Sequence, residues 1–321
     1  MSFSEQVMSP NSFPILLGPC VIESEGLLFE IATGLEKIKA NLEAEGLADG
    51  VVWVFKASYD KANRSSINGF RGPGLEEGLK QLSKVKQDFG FALVSDVHET
   101  SHCKPAAEVL DILQIPAFLC RQTDLIVAAA QTSKVLNIKK GQFLSPPEIK
   151  NIVTKVEETQ ASMILAEKDS DARLARVRKD VPKLAVANEG EHNAADGTFE
   201  PGSVFICERG NTFGYNNLVV DMRIFEQARE MGIRTIFDAT HSCQLPGAGG
   251  DKSLGNSHFA PILARAAVAA GATGIFAETH PRPDEALSDG PNMIKLDELE
   301  AALRGILEIR ALNSQAKALR T

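Results

Sequence analysis

The stretch from Phe55 to Gly78 is rich in side chains that bind anions. It reads FKASYDKANRSSINGFRGPGLEEG, so two lysines, one arginine and three serines fall within eleven residues after an apolar run. Cations and hydroxyls at the end of a buried strand, beside conformationally free glycines, suit phosphate and carboxylate groups. A single lysine there would be an ordinary solvated charge, but the combination predicts an anion-binding site. Within it, Arg64 and Ser65 are candidates for a phosphate of their own.

A second group contains side chains that bind transition metals. Cys20, His241, Glu278 and Asp289 each end or follow an apolar run, or stand in the loop after one. A thiolate, an imidazole and two carboxylates are ligands that suit iron, zinc or manganese as divalent ions. A lone cysteine is more often a buried apolar residue, and a lone histidine is more often structural. These positions alone leave both interpretations open.

Eight short apolar runs precede these chemically active residues. Most are continuous and rich in β-branched or aromatic residues, which is typical of parallel strands covered by other elements. The predicted strands are Ile15–Gly18, Val51–Phe55, Phe91–Ser95, Asp111–Ile115, Val135–Ile138, Ser203–Cys207, Arg234–Phe237 and Gly274–Ala277.

Segments with helical periodicity separate the predicted strands. They are Leu27–Leu42, Leu75–Phe89, Asp124–Thr132, Leu218–Met231, Phe259–Ala270 and Leu296–Leu312. Eight strand–helix repeats predict an α/β fold, a (β/α)8 TIM barrel, with a doubly wound open sheet as the alternative. Catalytic groups in such a barrel come from the carboxyl ends of the strands. The candidate anion-binding and metal-binding residues of this chain follow the predicted strands in the same way.

One connection departs from the repeat. Residues 157–201 form a long charged stretch between the fifth barrel helix and the sixth strand. Within it, Ala161–Val181 has helical character and Ala187–Gly202 has the composition of a loop. A helix-to-strand connection lies on the barrel face away from the active site. We therefore expect a surface insertion within a single catalytic domain that spans residues 1–321.

The overall composition excludes several classes of protein. A net charge of −8 and a pI near 5.4 argue against nucleic acid as the main partner. No apolar run reaches membrane-spanning length, and the first residues lack the pattern of a signal peptide. The five cysteines contain no close pair, which is typical of reduced thiols. We expect a cytoplasmic protein without a nucleic-acid or membrane partner.

Basic residues at the ends of other strands add to the predicted anion-binding site. Lys56 and Lys61 follow the second strand, Lys139 stands at the fifth and Arg209 at the sixth. Lys140 is adjacent to Lys139, and because side chains alternate along a strand, only one of the two should face inward. We favour Lys139. Convergence of these cations suits a compact ligand with two or three negative charges.

Taken together, these motifs resemble those of the 3-deoxy-manno-octulosonate 8-phosphate synthase family, whose members condense phosphoenolpyruvate with arabinose 5-phosphate. The matches span residues 14–292 except the charged insertion, which the family generally lacks. They are GPCVIES, FKASYDKANRSS, RGPGLEEGL, SDVHE, QIPAFLCRQTDL, NIKKGQF, ERGNTFGYNNLVVDMR, FDATHSCQLPG and ETHPRPDEALSDGPN. This combination is highly specific.

The resemblance implies an eight-fold barrel that assembles as a homotetramer in the cytoplasmic pathway to the lipopolysaccharide sugar. By match to the motifs, the residues that would bind phosphoenolpyruvate are Lys56, Lys61, Gln114, Pro116, Ala117, Lys139 and Arg209. Those that would bind arabinose 5-phosphate are Asn63, Arg64 and Ser65, with Arg121 reaching its phosphate from a neighbouring subunit.

The resemblance also bears on the metal. Members of the family that work without metal carry Asn where this chain has Cys20. The match of Cys20, His241, Glu278 and Asp289 therefore implies the metal-dependent branch and one divalent ion, iron, zinc or manganese, as cofactor.

The expected chemistry assigns further roles. The C3 carbon of phosphoenolpyruvate would attack the sugar aldehyde, water would add at C2 and phosphate would leave, while surrounding cations screen the growing charge. Asp96 and His98 end the third strand and are candidates for proton transfer or water positioning, and Lys61 and His241 complete the catalytic set. The alternative for Asp96 is an orienting partner of Lys56 or Lys61.

Rival functions differ in the acceptor or in the reaction. A related synthase uses erythrose 4-phosphate and typically carries a Pro-Arg-Thr element where this chain has Ala-Asn-Arg-Ser-Ser at 62–66, which favours the five-carbon sugar. A metal-dependent aldolase or lyase on the same barrel would release no inorganic phosphate from phosphoenolpyruvate. A catalytically silent scaffold is disfavoured by the complete set of charged strand ends.

Overall fold

A computed structural model of the chain describes residues 2–64, 66–169, 204–247 and 254–318. The predicted phosphate ligand Ser65 lies outside these ranges. Within them, no helix is both long enough and apolar enough to cross a membrane.

Parallel strands close into an eight-stranded barrel, as the sequence predicts. Each strand pairs with the next in chain order, and the last pairs with the first, with Leu17 opposite Ala277. This closure excludes the open doubly wound sheet. The barrel strands are β1 (Phe13–Gly18), β2 (Val51–Lys56), β3 (Ala92–Asp96), β4 (Ile112–Ile115), β5 (Val135–Lys139), β6 (Val204–Glu208), β7 (Arg234–Asp238) and β8 (Gly274–His280).

Helices surround the barrel and bury their apolar faces against it. In the helix after β1, the Ser24 side chain accepts a hydrogen bond from the Leu27 backbone, and buried residues then recur every three or four positions. The helices are α1 (Phe3–Met8), α2 (Glu25–Ala44), α3 (Leu75–Phe89), α4 (Thr100–Val109), α5 (Thr123–Ala130), α6 (Ile149–Asp169), α7 (Ile224–Glu230), α8 (Ala260–Ala269) and α9 (Leu296–Ala318).

The predicted helix Leu218–Met231 is wrong in its first part. Leu218–Val219 instead pairs with Asn211–Thr212 in a short antiparallel hairpin, and α7 begins only at Ile224. The Asp221 carboxylate accepts hydrogen bonds from the Arg223 backbone and side chain. This local turn separates the hairpin from the helix, although the apolar spacing continues through it.

Helix α1 closes the end of the barrel at which the strands begin. Val7 and Met8 are buried in the cluster that fills the barrel interior, together with residues such as Val52. Arg234, at the start of β7, donates hydrogen bonds of 3.0 Å to the carbonyl oxygens of Val7 and Ser9. A cation at the carboxyl end of a helix satisfies carbonyl groups that have no partner within the helix.

The predicted insertion 157–201 begins inside α6, because this helix continues to Asp169. The rest of the insertion, including the predicted helical residues beyond 169, lies outside the described ranges. Since α6 follows β5 and runs back along the barrel, it ends on the side at which the strands begin. The described chain resumes at Val204, which begins β6 and lies on that same side.

Candidate active site

A cavity of about 470 Å³ lies at the carboxyl ends of the barrel strands. Most of the predicted site residues line it, which brings together groups that stand up to 233 positions apart in the chain, from Lys56 to Asp289. They are Lys56, Lys61, Asn63, Arg64, Asp96, His98, Gln114, Pro116, Ala117, Lys139, Arg209, His241, Glu278 and Asp289.

Two predicted residues stand apart from that lining. Cys20 is fully buried behind it, with its Sγ atom 3.2 Å from Asp289 Oδ2. Arg121 is exposed on the loop after β4 and is not among the described residues that line the cavity. That Arg121 reaches the aldose phosphate of a neighbouring subunit stays a prediction.

The two lysines at the end of β5 face opposite sides of the barrel wall. Lys139 lines the cavity and forms an ion pair with the Asp238 carboxylate. Lys140 points outward, where its Nζ atom lies 3.3 Å from Glu208 Oε2 and 3.2 Å from the Leu144 carbonyl oxygen. Lys139 is therefore the inward-facing lysine, as strand alternation predicts.

Lys56 is buried at the base of the cavity and is held by several oxygen atoms. Its Nζ atom lies 2.5 Å from Glu278 Oε1 and donates to the carbonyl oxygen of Cys20 at 2.8 Å. Lys61 lies higher, 3.9 Å from Asp96 Oδ2, and donates to Ser58 Oγ at 2.9 Å. Burial alone would lower the pKa of Lys61, but Cys20, Glu278 and Asp96 together raise it above its usual value.

Asp96 is arranged as an ionised acceptor. Gln114 Nε2 donates to its Oδ1 atom at 2.6 Å, and Ser58 Oγ donates to Oδ2 at 2.5 Å. Burial alone would raise the pKa of Asp96, but Lys61 and Lys56 hold it well below its usual value. A carboxylate that stays charged and accepts two hydrogen bonds is suited to orienting cations.

His98 is better suited than Asp96 to receive a proton. Its Nδ1 atom is buried and has no hydrogen-bond partner among the described residues, and its ring packs edge-on against Tyr59 at 6.0 Å. Burial lowers the pKa of His98 below its usual value, with Asp96 opposing. The imidazole is therefore neutral near pH 7 and has a free lone pair or N–H group.

Two arginines line the cavity at different depths. Arg64 is half-buried, and its Nε atom donates to the Phe70 carbonyl oxygen at 2.9 Å, while Asn63 beside it is exposed. Arg209 lies deeper and donates from Nη2 to Gln244 Oε1 at 2.5 Å. Burial lowers the pKa of Arg209, yet a guanidinium remains charged throughout the physiological range.

The predicted metal ligands meet at one side of the cavity. One ligand atom from each of Cys20, Glu278 and Asp289 lies within 4.8 Å of the others. The fourth residue, His241, has its Nε2 atom 3.6 Å from Glu278 Oε1. Asp289 adopts the left-handed backbone region, with φ of 52°, which is rare for residues other than glycine and often marks functional positions.

These four residues fit a divalent ion. The Glu278 Oε2 atom is fully buried and has no hydrogen-bond partner among the described residues, which is costly for a carboxylate unless another group binds it. Burial, reinforced by Glu278, raises the pKa of the Cys20 thiol far above its usual value. A cation between these groups would satisfy the oxygen atom and replace the thiol proton.

Sequence reasoning missed Asp238 as a site residue. It is fully buried at the end of β7, where His241 Nδ1 lies 2.9 Å from its Oδ2 atom and Lys139 forms the ion pair described above. Burial alone would raise the pKa of Asp238, but His241 and Lys139 hold it well below its usual value. The sequence motif that could have indicated Asp238 is DATHS, in which this aspartate ends a strand three residues before the candidate ligand His241.

Ser288 and Gln244 were missed as well, because neither stands at the end of a barrel strand. Ser288 is in a loop, and Gln244 is in a two-residue strand that pairs with Leu254–Gly255. Ser288 Oγ lies 2.9 Å from Cys20 Sγ, and Gln244 Nε2 donates to Asp289 Oδ1 at 3.3 Å. Each of them contacts one of the candidate metal ligands.

Comparison with known proteins agrees with this geometry. Residues 9–312 match the model of the DAHP synthetase I family. The chain belongs to that family. Among similar proteins, the 2-dehydro-3-deoxyphosphooctonate aldolase of Fusobacterium nucleatum is 46% identical over 92% of this chain and 90% of its own length.

Two further proteins with the same name show the same degree of similarity. That of Campylobacter jejuni strain RM1221 is 47% identical over 94% of this chain and 98% of its own length. That of a Synechococcus strain is 46% identical over 91% of this chain and 87% of its own length. The name describes an eight-carbon 3-deoxy sugar acid phosphate, so the resemblance inferred from the motifs is confirmed.

Proposed function

We propose that this protein is a 3-deoxy-8-phosphooctulonate synthase. It would join phosphoenolpyruvate, D-arabinose 5-phosphate and water to give 3-deoxy-D-manno-octulosonate 8-phosphate and inorganic phosphate. The observation that carries this proposal is the convergence of Lys56, Lys61, Lys139 and Arg209 in one cavity, with Arg64 farther out. Relatives with an octonate name support the same product.

The residue types suit each step of the reaction. The four inner cations would neutralise the carboxylate and phosphate of phosphoenolpyruvate and direct its C3 carbon towards the aldehyde. A C–C bond forms at that carbon, water adds at C2, and the C–O bond to phosphate breaks. The same cations stabilise the phosphate charge as it leaves. His98, which is neutral near pH 7, would accept the proton that the attacking water loses.

We also propose one divalent ion, Fe²⁺, Zn²⁺ or Mn²⁺, held by Cys20, His241, Glu278 and Asp289. The closeness of three ligand atoms and the unpaired Glu278 Oε2 atom support this site. When bound, such an ion supplies Lewis acidity that orients the aldehyde or activates the water.

The decisive experiment measures inorganic phosphate released by the purified protein from phosphoenolpyruvate and either arabinose 5-phosphate or erythrose 4-phosphate. We expect phosphate release with a strong preference for the five-carbon sugar, a product of matching mass, and loss of turnover after chelation. Preference for erythrose 4-phosphate would favour the seven-carbon synthase instead. Absence of phosphate release with either sugar would favour an aldolase or lyase and would refute the proposal.

We further propose a cytoplasmic homotetramer in which the cavity lies near a subunit interface and Arg121 reaches a neighbouring subunit. Large exposed apolar side chains on the loops after β4, β5 and β6 support association at this end of the barrel. They are Phe118, Phe143, Phe213 and Tyr215. Light scattering of the purified protein tests the assembly, and Arg121→Ala should raise the KM for the aldose phosphate while the assembly persists.

A further inference from the structure

Asp238 contacts two side chains that the proposed function assigns to different ligands. Its carboxylate forms an ion pair with Lys139, a candidate for phosphoenolpyruvate, and lies 2.9 Å from the Nδ1 atom of His241, a candidate for the metal. Its Oδ1 atom also accepts the His241 backbone N–H group at 2.9 Å. Asp238 itself is fully buried, so water does not screen these contacts.

The contact with His241 determines which ring nitrogen is available. When Nδ1–H donates to a carboxylate, the proton is fixed on Nδ1 and the lone pair on Nε2 is left for a ligand. In this structure Nε2 faces Glu278, 3.6 Å from its Oε1 atom, on the side of the other candidate ligands. The carboxylate also makes the imidazole a stronger donor to a cation.

Lys139 and His241 interact with the same carboxylate, that of Asp238. While no anionic ligand neutralises the Lys139 ammonium group, this group attracts the Asp238 carboxylate and weakens the interaction of that carboxylate with His241. When an anion neutralises Lys139, the Asp238 carboxylate interacts more strongly with the His241 imidazole, because the interactions share one low-dielectric environment. The two binding events are thereby linked through a single side chain.

We propose that Asp238 is a positioning residue that couples occupancy of the phosphoenolpyruvate site to metal affinity. This inference rests on the proposed function. Phosphoenolpyruvate raises the affinity for the ion, and by linkage the ion raises the affinity for phosphoenolpyruvate by the same factor. The direct attraction between the two ligands contributes as well, so the part carried by Asp238 is the difference between the wild type and a variant that lacks its charge.

The test titrates Zn²⁺ into the metal-stripped full-length protein in competition with a chromogenic chelator, with and without phosphoenolpyruvate and without aldose. In Asp238→Asn we expect Zn²⁺ affinity to fall about 10–100-fold, the range found when carboxylate partners of metal-binding histidines are removed. The enhancement by phosphoenolpyruvate should shrink as well. The matched control is Asp96→Asn, which also removes a buried carboxylate beside a cavity lysine but contacts none of the four candidate ligands. Its Zn²⁺ affinity should stay within about twofold of the wild type.

A second variant separates this role from general damage. Lys139→Met removes the competing cation, so Zn²⁺ affinity should rise while the enhancement by phosphoenolpyruvate shrinks. Structural damage would lower affinity in both variants, whereas the coupling predicts changes of opposite sign. Thermal unfolding of each metal-stripped variant shows whether it is folded. The wild-type titration with and without phosphoenolpyruvate tests the mutual enhancement even if a variant does not fold.

The outcomes distinguish this inference from the proposed function. A wild-type protein that binds neither Zn²⁺ nor phosphoenolpyruvate would refute the proposed function. A wild type that binds both without mutual enhancement would overturn the coupling alone. So would a folded Asp238→Asn variant with unchanged Zn²⁺ affinity.

Discussion

Lys139 ends β5 and Lys140 follows it directly, yet Lys139 forms an ion pair inside the barrel with Asp238 and Lys140 forms an ion pair outside it with Glu208. Both pairs are buried, so each lysine compensates a carboxylate that water does not reach. The outer pair also connects the ends of β5 and β6, from which Lys139 and Arg209 enter the cavity. Stability and ligand binding therefore depend on different members of one dipeptide.

We expect Lys140→Met to destabilise the protein by about 3–5 kcal/mol, because it leaves Glu208 buried without its cation. Burial already raises the pKa of Glu208 above its usual value even with Lys140 present. Urea unfolding measures the change in the free energy of unfolding. The double variant Lys140→Met/Glu208→Gln should recover part of the loss, since it removes the isolated charge.

The matched control breaks an exposed ion pair, that of Lys84 with Glu25. Glu25→Gln should cost no more than about 1 kcal/mol, because water screens such pairs. Equal losses in Lys140→Met and Glu25→Gln would contradict the assignment of stability to the buried outer pair.

Cys20→Asn should weaken Zn²⁺ retention at least tenfold, or about 1.4 kcal/mol, because an amide replaces a thiolate ligand. Metal content after dialysis and sensitivity of turnover to chelators measure the effect. Some turnover without metal is expected, since family members that work without metal carry Asn at this position.

The control for that experiment is Cys243→Ser. Cys243 is also buried and close to His241, but its Sγ atom contacts the Ala239 carbonyl oxygen rather than the other candidate ligands. Metal content should match the wild type. If Cys20→Asn retains metal as the control does, Cys20 is not a ligand.

A neutral His98 should make stability depend on pH. Burial lowers the folded-state pKa of His98 below its ordinary value of 6.5. In acid, the unfolded chain takes up this proton first, so unfolding is favoured. The stabilisation is complete above pH 6.5 and is lost as the pH falls through the folded-state pKa. The groups that act on His98 are Asp96, Asp60, Lys61 and His102.

Urea unfolding of the wild type and of His98→Gln, from about pH 8 to about pH 5.5, measures this dependence. As the pH falls, the free energy of unfolding of the wild type should decrease more than that of His98→Gln. A difference that stays constant with pH would mean that the folded-state pKa of His98 is not lowered.

Arg64→Ala should raise the KM for arabinose 5-phosphate about 10–100-fold with little change in kcat, because the proposed phosphate contact would be equally strong in the ground and transition states. Arg71→Ala is the control, since Arg71 is exposed and already paired with Asp60 in the same loop. Steady-state kinetics at saturating phosphoenolpyruvate compares them. Similar KM values in both variants would remove Arg64 from the aldose site.

The barrel itself was predictable because buried parallel strands leave continuous apolar runs, and each predicted run overlaps a barrel strand. Helix α4 was missed because Pro105 stands within it and interrupts the pattern of strong helix-forming residues. Helix α1 was missed because it has only six residues and is stabilised by tertiary contacts. One of those contacts joins Arg234 to the Val7 carbonyl oxygen, 227 positions earlier in the chain, and no local pattern indicates it.

The site was predictable where residues stand at strand ends. Alternation along β5 was sufficient to select Lys139 over Lys140, because adjacent side chains must face opposite sides. Asp238 and Ser288 could not be assigned in the same way. Their importance comes from what they contact, and spacing along the chain does not show that Ser288 meets Cys20 from a loop 268 residues away.

The ion pair of Lys56 with Glu278 has a consequence for the history of such enzymes. Because Glu278 already has an ammonium partner 2.5 Å away, a variant that cannot hold the proposed ion would still have a cation beside this buried carboxylate. A change at position 20 could then be tolerated before any other residue adapts. If the proposed ion assists this enzyme, the lysine would let a lineage lose that ion in one step, without a second change at the same time.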